Sequence, residues 1–317
     1  MLTGGVGFVI VRCMKAIGFV VVALSAASSL FAADSAIVTL ETERSSAVVS
    51  LVGGHVMSFK TGGEEVLWKP KKWNHKGDKW CQGGIPVCWP WFGSSGPSTN
   101  AHGFAWRSAF EVRGRRSSPM RSELVLGLKP NASTRKEWPH EFDFEYSIVL
   151  TDTLKLTMKT RNIGSKPFIL TAGFHPYFFI GDRDRTVVTA TDGMKYCDSR
   201  LTTEYGSVWT GNLKLLSSFD HVFIEPYPTA SHTIVDPLLD RRIVVTSSGA
   251  KRLVIWGPRE EEPAWENPAP GDFAIGDWRH FICVEPAILW KEAAIDIKPG
   301  DEHVMMSEIS IRKGVGK

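Results

Sequence analysis

The sequence predicts a single all-β domain, a sandwich or barrel built from many short strands. Three observations predict it. Apolar residues alternate with polar ones at period two in short runs, and turn-forming residues separate those runs. Beyond residue 33 no stretch carries apolar residues at i, i+3 and i+4 through three turns, so no long amphipathic helix is expected. The chain has 317 residues, 43% hydrophobic and 22% charged. That is an ordinary globular composition, and the length admits one large β domain or two smaller ones. No internal repeat or low-complexity linker divides it, so residues 34–317 read as one domain.

From the N-terminus, Arg12 and Lys15 precede an apolar core, Ile17–Leu24, and small residues from Ser25 to Ser29 lead to Ala32-Ala33-Asp34. A basic start, a short apolar run and a small-residue exit describe a secretory signal peptide over residues 1–33. Met14 is an alternative start for it. The run is short for a spanning helix, which needs roughly 20 apolar residues. The expected product is exported, periplasmic or secreted, with no membrane span once the signal is cleaved; an uncleaved anchor is the alternative.

The runs that follow are strand-like. Ala47–Val52 and Thr186–Ala190 are β-branched. Tyr146, Ile148 and Leu150 alternate up to Thr151-Asp152-Thr153, after which Leu154, Leu156 and Met158 resume the pattern, a hairpin signature. Ile243 and Val245 relate in the same way to Leu253 and Ile255 across Ser247-Ser248-Gly249-Ala250. The Pro-rich stretch Glu260–Gly271 reads as one long surface loop.

Charge and cysteine content narrow the function. A net charge of +3 with no basic stripe gives no footprint for nucleic acid. Cys13 would leave with the signal, and Cys81, Cys88, Cys197 and Cys283 could form up to two disulfides in an oxidising compartment. Cys88 and Cys283 lie inside apolar runs and read as buried small hydrophobes, and the spacing fits no zinc pattern.

Three segments carry more than strand-and-turn information. Gly83-Gly84-Ile85-Pro86-Val87-Cys88-Trp89-Pro90-Trp91-Phe92-Gly93 is followed by His102-Gly103-Phe104-Ala105. Its prolines and glycines forbid regular pairing, leaving an irregular aromatic wall suited to the C–H faces of a sugar, or a packed aromatic core. Thr171-Ala172-Gly173-Phe174-His175-Pro176-Tyr177-Phe178 holds a histidine stiffly at a strand end. Phe281-Ile282-Cys283-Val284-Glu285-Pro286 ends an apolar strand on a carboxylate. Burying that carboxylate unpaired is costly, so it must find donors or serve as a base with a raised pKa.

In this order and spacing the motifs resemble the aldose 1-epimerase superfamily, closest to its glucose-6-phosphate 1-epimerase (hexose-phosphate mutarotase) branch. The resemblance runs from about Ala36 to about Arg312. It implies a galactose-mutarotase-like β-supersandwich whose cleft lies across one sheet. The expected partner is a small molecule, a sugar or sugar phosphate, and the chain is expected to be a monomer. The resemblance implies His175 as general acid on the ring oxygen and Glu285 as general base on the anomeric hydroxyl, with no metal or organic cofactor. Asp220 falls where relatives carry a substrate-binding aspartate, and His102 belongs to the turn beside the aromatic wall; either could bind substrate or be structural. Asp272 is a weaker candidate that could equally be a loop cap.

Departures from the family pattern bear on the substrate. Phosphate-handling members carry arginines where this chain has Gln82 and Trp106, with Arg107 displaced by one residue, and Ala101 stands in place of a glutamine. Neither Gln nor Trp supplies a charged fork for phosphate, so a neutral sugar or oligosaccharide is expected, with Trp106 a candidate to stack on it. On a strand, Arg107 would face away. Lys69, Lys71, Lys72, Lys76 and Lys79 form a basic run that could restore anion binding or be a solvated loop. Two other readings remain open: a non-catalytic carbohydrate-binding module, and a polysaccharide lyase or hydrolase, although no second carboxylate motif completes a hydrolase pair.

Overall fold

A computed structural model describes residues 37–73, 77–94, 96–97, 100–215, 218–226, 228–258, 273–274 and 276–314. The expected signal, Lys76, the loop 260–271 and Asp272 lie outside them. Among the described residues no helix is long and apolar enough to cross a membrane.

Two large antiparallel sheets dominate. The first runs, in spatial order, Leu213–Lys214, Val187–Thr189, Thr229–Asp236, Arg241–Ser248, Glu302–Lys313, Leu154–Asn162, Phe142–Leu150, Arg121–Leu128, Glu111–Ser118. Alternation fixes its inner face. Phe142, Phe144, Tyr146, Ile148 and Leu150 are buried while the residues between them are partly exposed. Ile243, Val245, Met305 and Ile309 point the same way.

The second sheet runs Ser207–Val208, Lys195–Asp198, Phe219–Ile224, Arg252–Gly257, Phe281–Ile288, Ala172–Phe174, Val87–Cys88, and Tyr177–Phe179 also pairs with Phe281–Ile288. Phe281–Ile288 is buried at every position, so both of its faces are covered. Ile282, Val284 and Ile288, with Leu253, Ile255 and Phe174, join the apolar cluster shared with the first sheet. Each such side chain contributes roughly 1.5–3 kcal/mol by leaving water. Phe281, Cys283, Glu285 and Ala287 necessarily face the other way. A four-stranded sheet (Ile37–Glu41, Ser45–Ser50, His55–Thr61, Glu64–Glu65) and a two-stranded one (Phe168–Leu170, Ile295–Ile297) complete the described architecture.

The hairpin expected at Thr151-Asp152-Thr153 forms in register, Tyr146 opposite Met158 and Leu150 opposite Leu154. The one expected across Ser247–Ala250 does not. Arg241–Ser248 pairs with Thr229–Asp236 and Glu302–Lys313, whereas Arg252–Gly257 belongs to the second sheet. Period two identifies two strands without saying that they pair. Gly249 makes the crossing: its φ is 75°, and a Cβ there would meet the Val304 carbonyl oxygen at 2.2 Å. Cys81, Cys88, Cys197 and Cys283 are all buried free thiols, in keeping with the apolar reading of Cys88 and Cys283.

Gly249→Ala combines a left-handed backbone with a backbone clash, and should cost at least about 1–3 kcal/mol. Denaturant unfolding measures it. A variant as stable as its parent would show that the crossing is not held there.

Candidate functional site

The register of the second sheet lays out a cleft floor. Tyr177 lies opposite Cys283, Cys283 opposite Trp256, and Trp256 opposite Asp220, giving one row across the sheet. Glu285, Val254 and Val222 form the next row, and Ala287, Gly173 and Cys88 another. His175 follows Phe174 and precedes Tyr177. It therefore stands between the Gly173 and Tyr177 positions, opposite Glu285. The result is a His175 Nε2 to Glu285 Oε1 distance of 3.5 Å, with the two side chains 9% and 1% exposed.

Aromatic rings surround His175. Tyr177 stacks on it with ring centroids 4.8 Å apart, and Trp80, Trp256 and His102 approach edge-on at 5.7, 5.9 and 5.5 Å. Gly173 lets the Phe92 ring lie against the floor, since a Cβ there would meet that ring at 2.5 Å. Phe92, His102, Asp220, Val222 and Val254 line a cavity of about 400 Å³ beside the pair.

Burial decides the electrostatics. It pushes the Glu285 carboxyl well above its ordinary value, and the nearby Asp220 charge adds to this. Burial also holds the His175 imidazole well below its ordinary value, with His102 next in importance. Both effects favour a neutral acid beside a neutral base. His102 is lowered to about 4 by burial, and its Nδ1 accepts a hydrogen bond from the Gly93 N–H at 3.2 Å. Its neutral ring therefore carries the proton on Nε2, as a donor.

The remaining expected residues distribute unevenly. Asp220 and His102 reach the cavity wall. Trp106 does not line this cavity; it lies edge-on to Trp80 at 5.7 Å, with its indole N–H donated to the Gly103 carbonyl. Gln82 is half-buried two residues beyond Trp80. Arg107 sits in a short 3₁₀ turn, Ala105–Arg107, rather than on a strand, and its guanidinium is held by Glu137 at 2.5 Å. Lys69 is paired with Glu65 at 2.7 Å. The aromatic run divides between the two roles expected of it. Trp89 is core, stacked on Phe144 and donating to Thr160, and Trp91 is buried with it, while Phe92 faces the cavity. Outside the run, Trp80 and Trp256 pack edge-on against His175. Trp256 could have been found as the outward partner of Ile255 in the alternation; Trp80 lies in a loop with no pattern to mark it.

Residues 36–310 match the family description aldose 1-epimerase. A protein of Cenchrus ciliaris, named provisionally as a glucose-6-phosphate 1-epimerase, is 32% identical across 81% of this chain and 78% of its own length. One of Salmonella typhimurium with the same provisional name is 28% identical, across 80% and 83%. A solved structure from S. typhimurium, provisionally named a mutarotase, superimposes with a TM-score of 0.76 at 25% identity, covering 87% of this chain and 90% of that one. An aldose epimerase homologue from C. elegans shares the fold, with a TM-score of 0.64 at 9% identity.

The displaced ionisations should appear in stability. Because the folded pKa of Glu285 is raised, its contribution is fully present below pH ~4.5 and is lost as pH rises through its folded value. His175 has the opposite sign: its contribution is present above about 6.5 and is lost as pH falls. Glu285→Gln removes the first effect. Its unfolding free energy should gain on the parent as pH rises above ~4.5, by about 1.4 kcal/mol per unit of displaced pKa. A pH-independent difference between the two would contradict the raised carboxyl.

Proposed function

This chain belongs to the aldose 1-epimerase family, and we propose that its cleft interconverts the α and β anomers of a neutral aldohexose, with Glu285 as base and His175 as acid. One observation carries the reading: the two groups face each other at 3.5 Å on the cleft floor, close enough to serve two oxygens bonded to one carbon.

The pair holds one exchangeable proton, on either partner. With carboxylate and imidazolium in place, Glu285 takes the proton of the C1 hydroxyl and His175 gives its own to the ring oxygen. The C1–O5 bond breaks, a C1=O double bond forms, and the pair is left as carboxylic acid and neutral imidazole. Rotation about C1–C2 presents the other carbonyl face, and the reverse transfers close the ring to the other anomer. Atoms and charge balance within the pair and the sugar. The buried site favours its neutral form, so sugar hydroxyls donating to Glu285 offset the desolvation of the charged form when substrate binds. The Nε2–H of His102 and the carboxylate of Asp220, on the cavity wall, are a donor and an acceptor for other hydroxyls.

A neutral sugar is favoured by Gln82 and Trp106 at the positions where phosphate-handling relatives carry arginine, and by the engagement of Arg107 with Glu137. Export by way of residues 1–33 belongs to the same reading and rests on the signal-like pattern there. Asp272 remains part of it as a candidate substrate contact.

Anomer exchange of glucose, galactose and glucose 6-phosphate, followed by saturation-transfer NMR, tests this. Glu285→Gln and His175→Ala should each lower kcat by about 10²–10⁴-fold. The kcat/KM for glucose should exceed that for glucose 6-phosphate, and Trp106→Arg should narrow the gap. Preference for the phosphate ester would overturn the neutral-sugar assignment. Sugar binding without exchange would mark a binding module.

A further inference from the structure

Cys283 stands two residues before Glu285, so strand alternation puts both side chains on the cleft face. Its neighbour across the sheet is Tyr177, which stacks on His175. A ligating nitrogen of His175, the Cys283 sulfur and a carboxylate oxygen of Glu285 consequently all lie within 4.8 Å of one another. The acid–base chemistry above has no use for the thiol.

We propose that His175, Cys283 and Glu285 form a three-ligand site for a thiophilic divalent cation, zinc being the best match, and that its binding shuts off sugar turnover. The inhibitory half rests on the acid–base reading of His175 and Glu285; the binding half does not.

The donor set selects the metal. One imidazole nitrogen, one thiolate and one carboxylate suit a borderline ion such as zinc, whereas magnesium and calcium require oxygen ligands throughout. Three protein ligands that leave a fourth position free is the arrangement zinc adopts where a small molecule can reach it. Charge balance suits the surroundings too. A doubly charged cation with one thiolate, one carboxylate and a neutral imidazole sums to zero, which a dry floor tolerates far better than an isolated charge.

Tetrahedral zinc holds its donors about 3.5 Å apart. His175 and Glu285 already stand at that separation, and closing the set requires side-chain adjustments of about 1 Å. An independent observation points to a ligand here: both oxygens of Glu285 are buried without a hydrogen-bond partner among the described residues. A cation would satisfy both the carboxylate and the thiol. It would also occupy the atoms that must exchange protons with the sugar, so inhibition should be competitive.

The test separates binding from turnover. Cobalt(II), added to the purified full chain, reports a thiolate ligand through its near-ultraviolet charge-transfer band, and zinc is titrated by calorimetry and in the anomer-exchange assay. The expected result is one zinc per chain, a cobalt–thiolate band, and zinc inhibition that sugar relieves. Cys283→Ala should abolish the band and weaken zinc inhibition by about 10–100-fold relative to its own zinc-free rate. Cys283→Ser serves the same purpose if the alanine variant folds poorly. Cys197→Ala should keep both signals. Equal zinc inhibition of the Cys283 variants and the parent, or a thiolate band that survives them, would overturn the site. A Cys283-dependent band on a chain that exchanges no anomers would uphold the metal site and overturn the mutarotase reading. Exchange without metal binding would do the reverse.

Discussion

Taking a carboxylate out of water costs several kcal/mol unless something compensates it. In this protein the cost is imposed by a strand, Phe281–Ile288, that is covered on both faces. One face closes the core between the two large sheets through Ile282, Val284 and Ile288. The other presents Cys283, Glu285 and Ala287 to the cleft, so the rigidity of the core passes directly to the carboxylate. Burial raises its pKa, and the nearby Asp220 charge opposes its ionisation further. Everything else at the floor follows from that: a neutral imidazole opposite, aromatic walls that hold it neutral, and a proton that either partner can carry.

On the proposed mechanism, stability and activity would pull apart at Glu285. A charge stabilised in the empty cleft would resist transfer to and from the sugar. A pair kept neutral by burial gains its charged form only when hydroxyls arrive, so binding energy is used to prepare the reacting state. The same unsatisfied carboxylate underlies the proposed cation site, because a metal would satisfy both oxygens of Glu285 and the buried thiol beside it.

Much of this was legible in the sequence, for identifiable reasons. Glu285 stood out because an acid in an apolar strand demands an explanation, and His175 because proline and aromatic neighbours fix its position. The Tyr146–Met158 hairpin was legible because alternation and a turn coincide. The crossing at Gly249 was not, since alternation is silent about which strand is the partner. Trp89 and Phe92 are three residues apart in one aromatic run, yet one is core and the other lines the cavity; the irregular backbone around Pro90 breaks the alternation that would have separated them. The strand condition set for Arg107 is not met, because a single 3₁₀ turn leaves no periodic trace in the sequence. Trp80 was missed because its role is set by distant partners, His102, Trp106 and His175.

The central claim is that His175 and Glu285 act as one proton-sharing unit. The direct test is a double-mutant cycle on glucose anomer exchange with His175→Ala, Glu285→Gln and the combination. Groups that work as a unit lose nearly all of their effect when either is removed, so the double variant should be no slower than the slower single one. Losses that multiply, or a single variant that keeps the parental rate, would contradict the account.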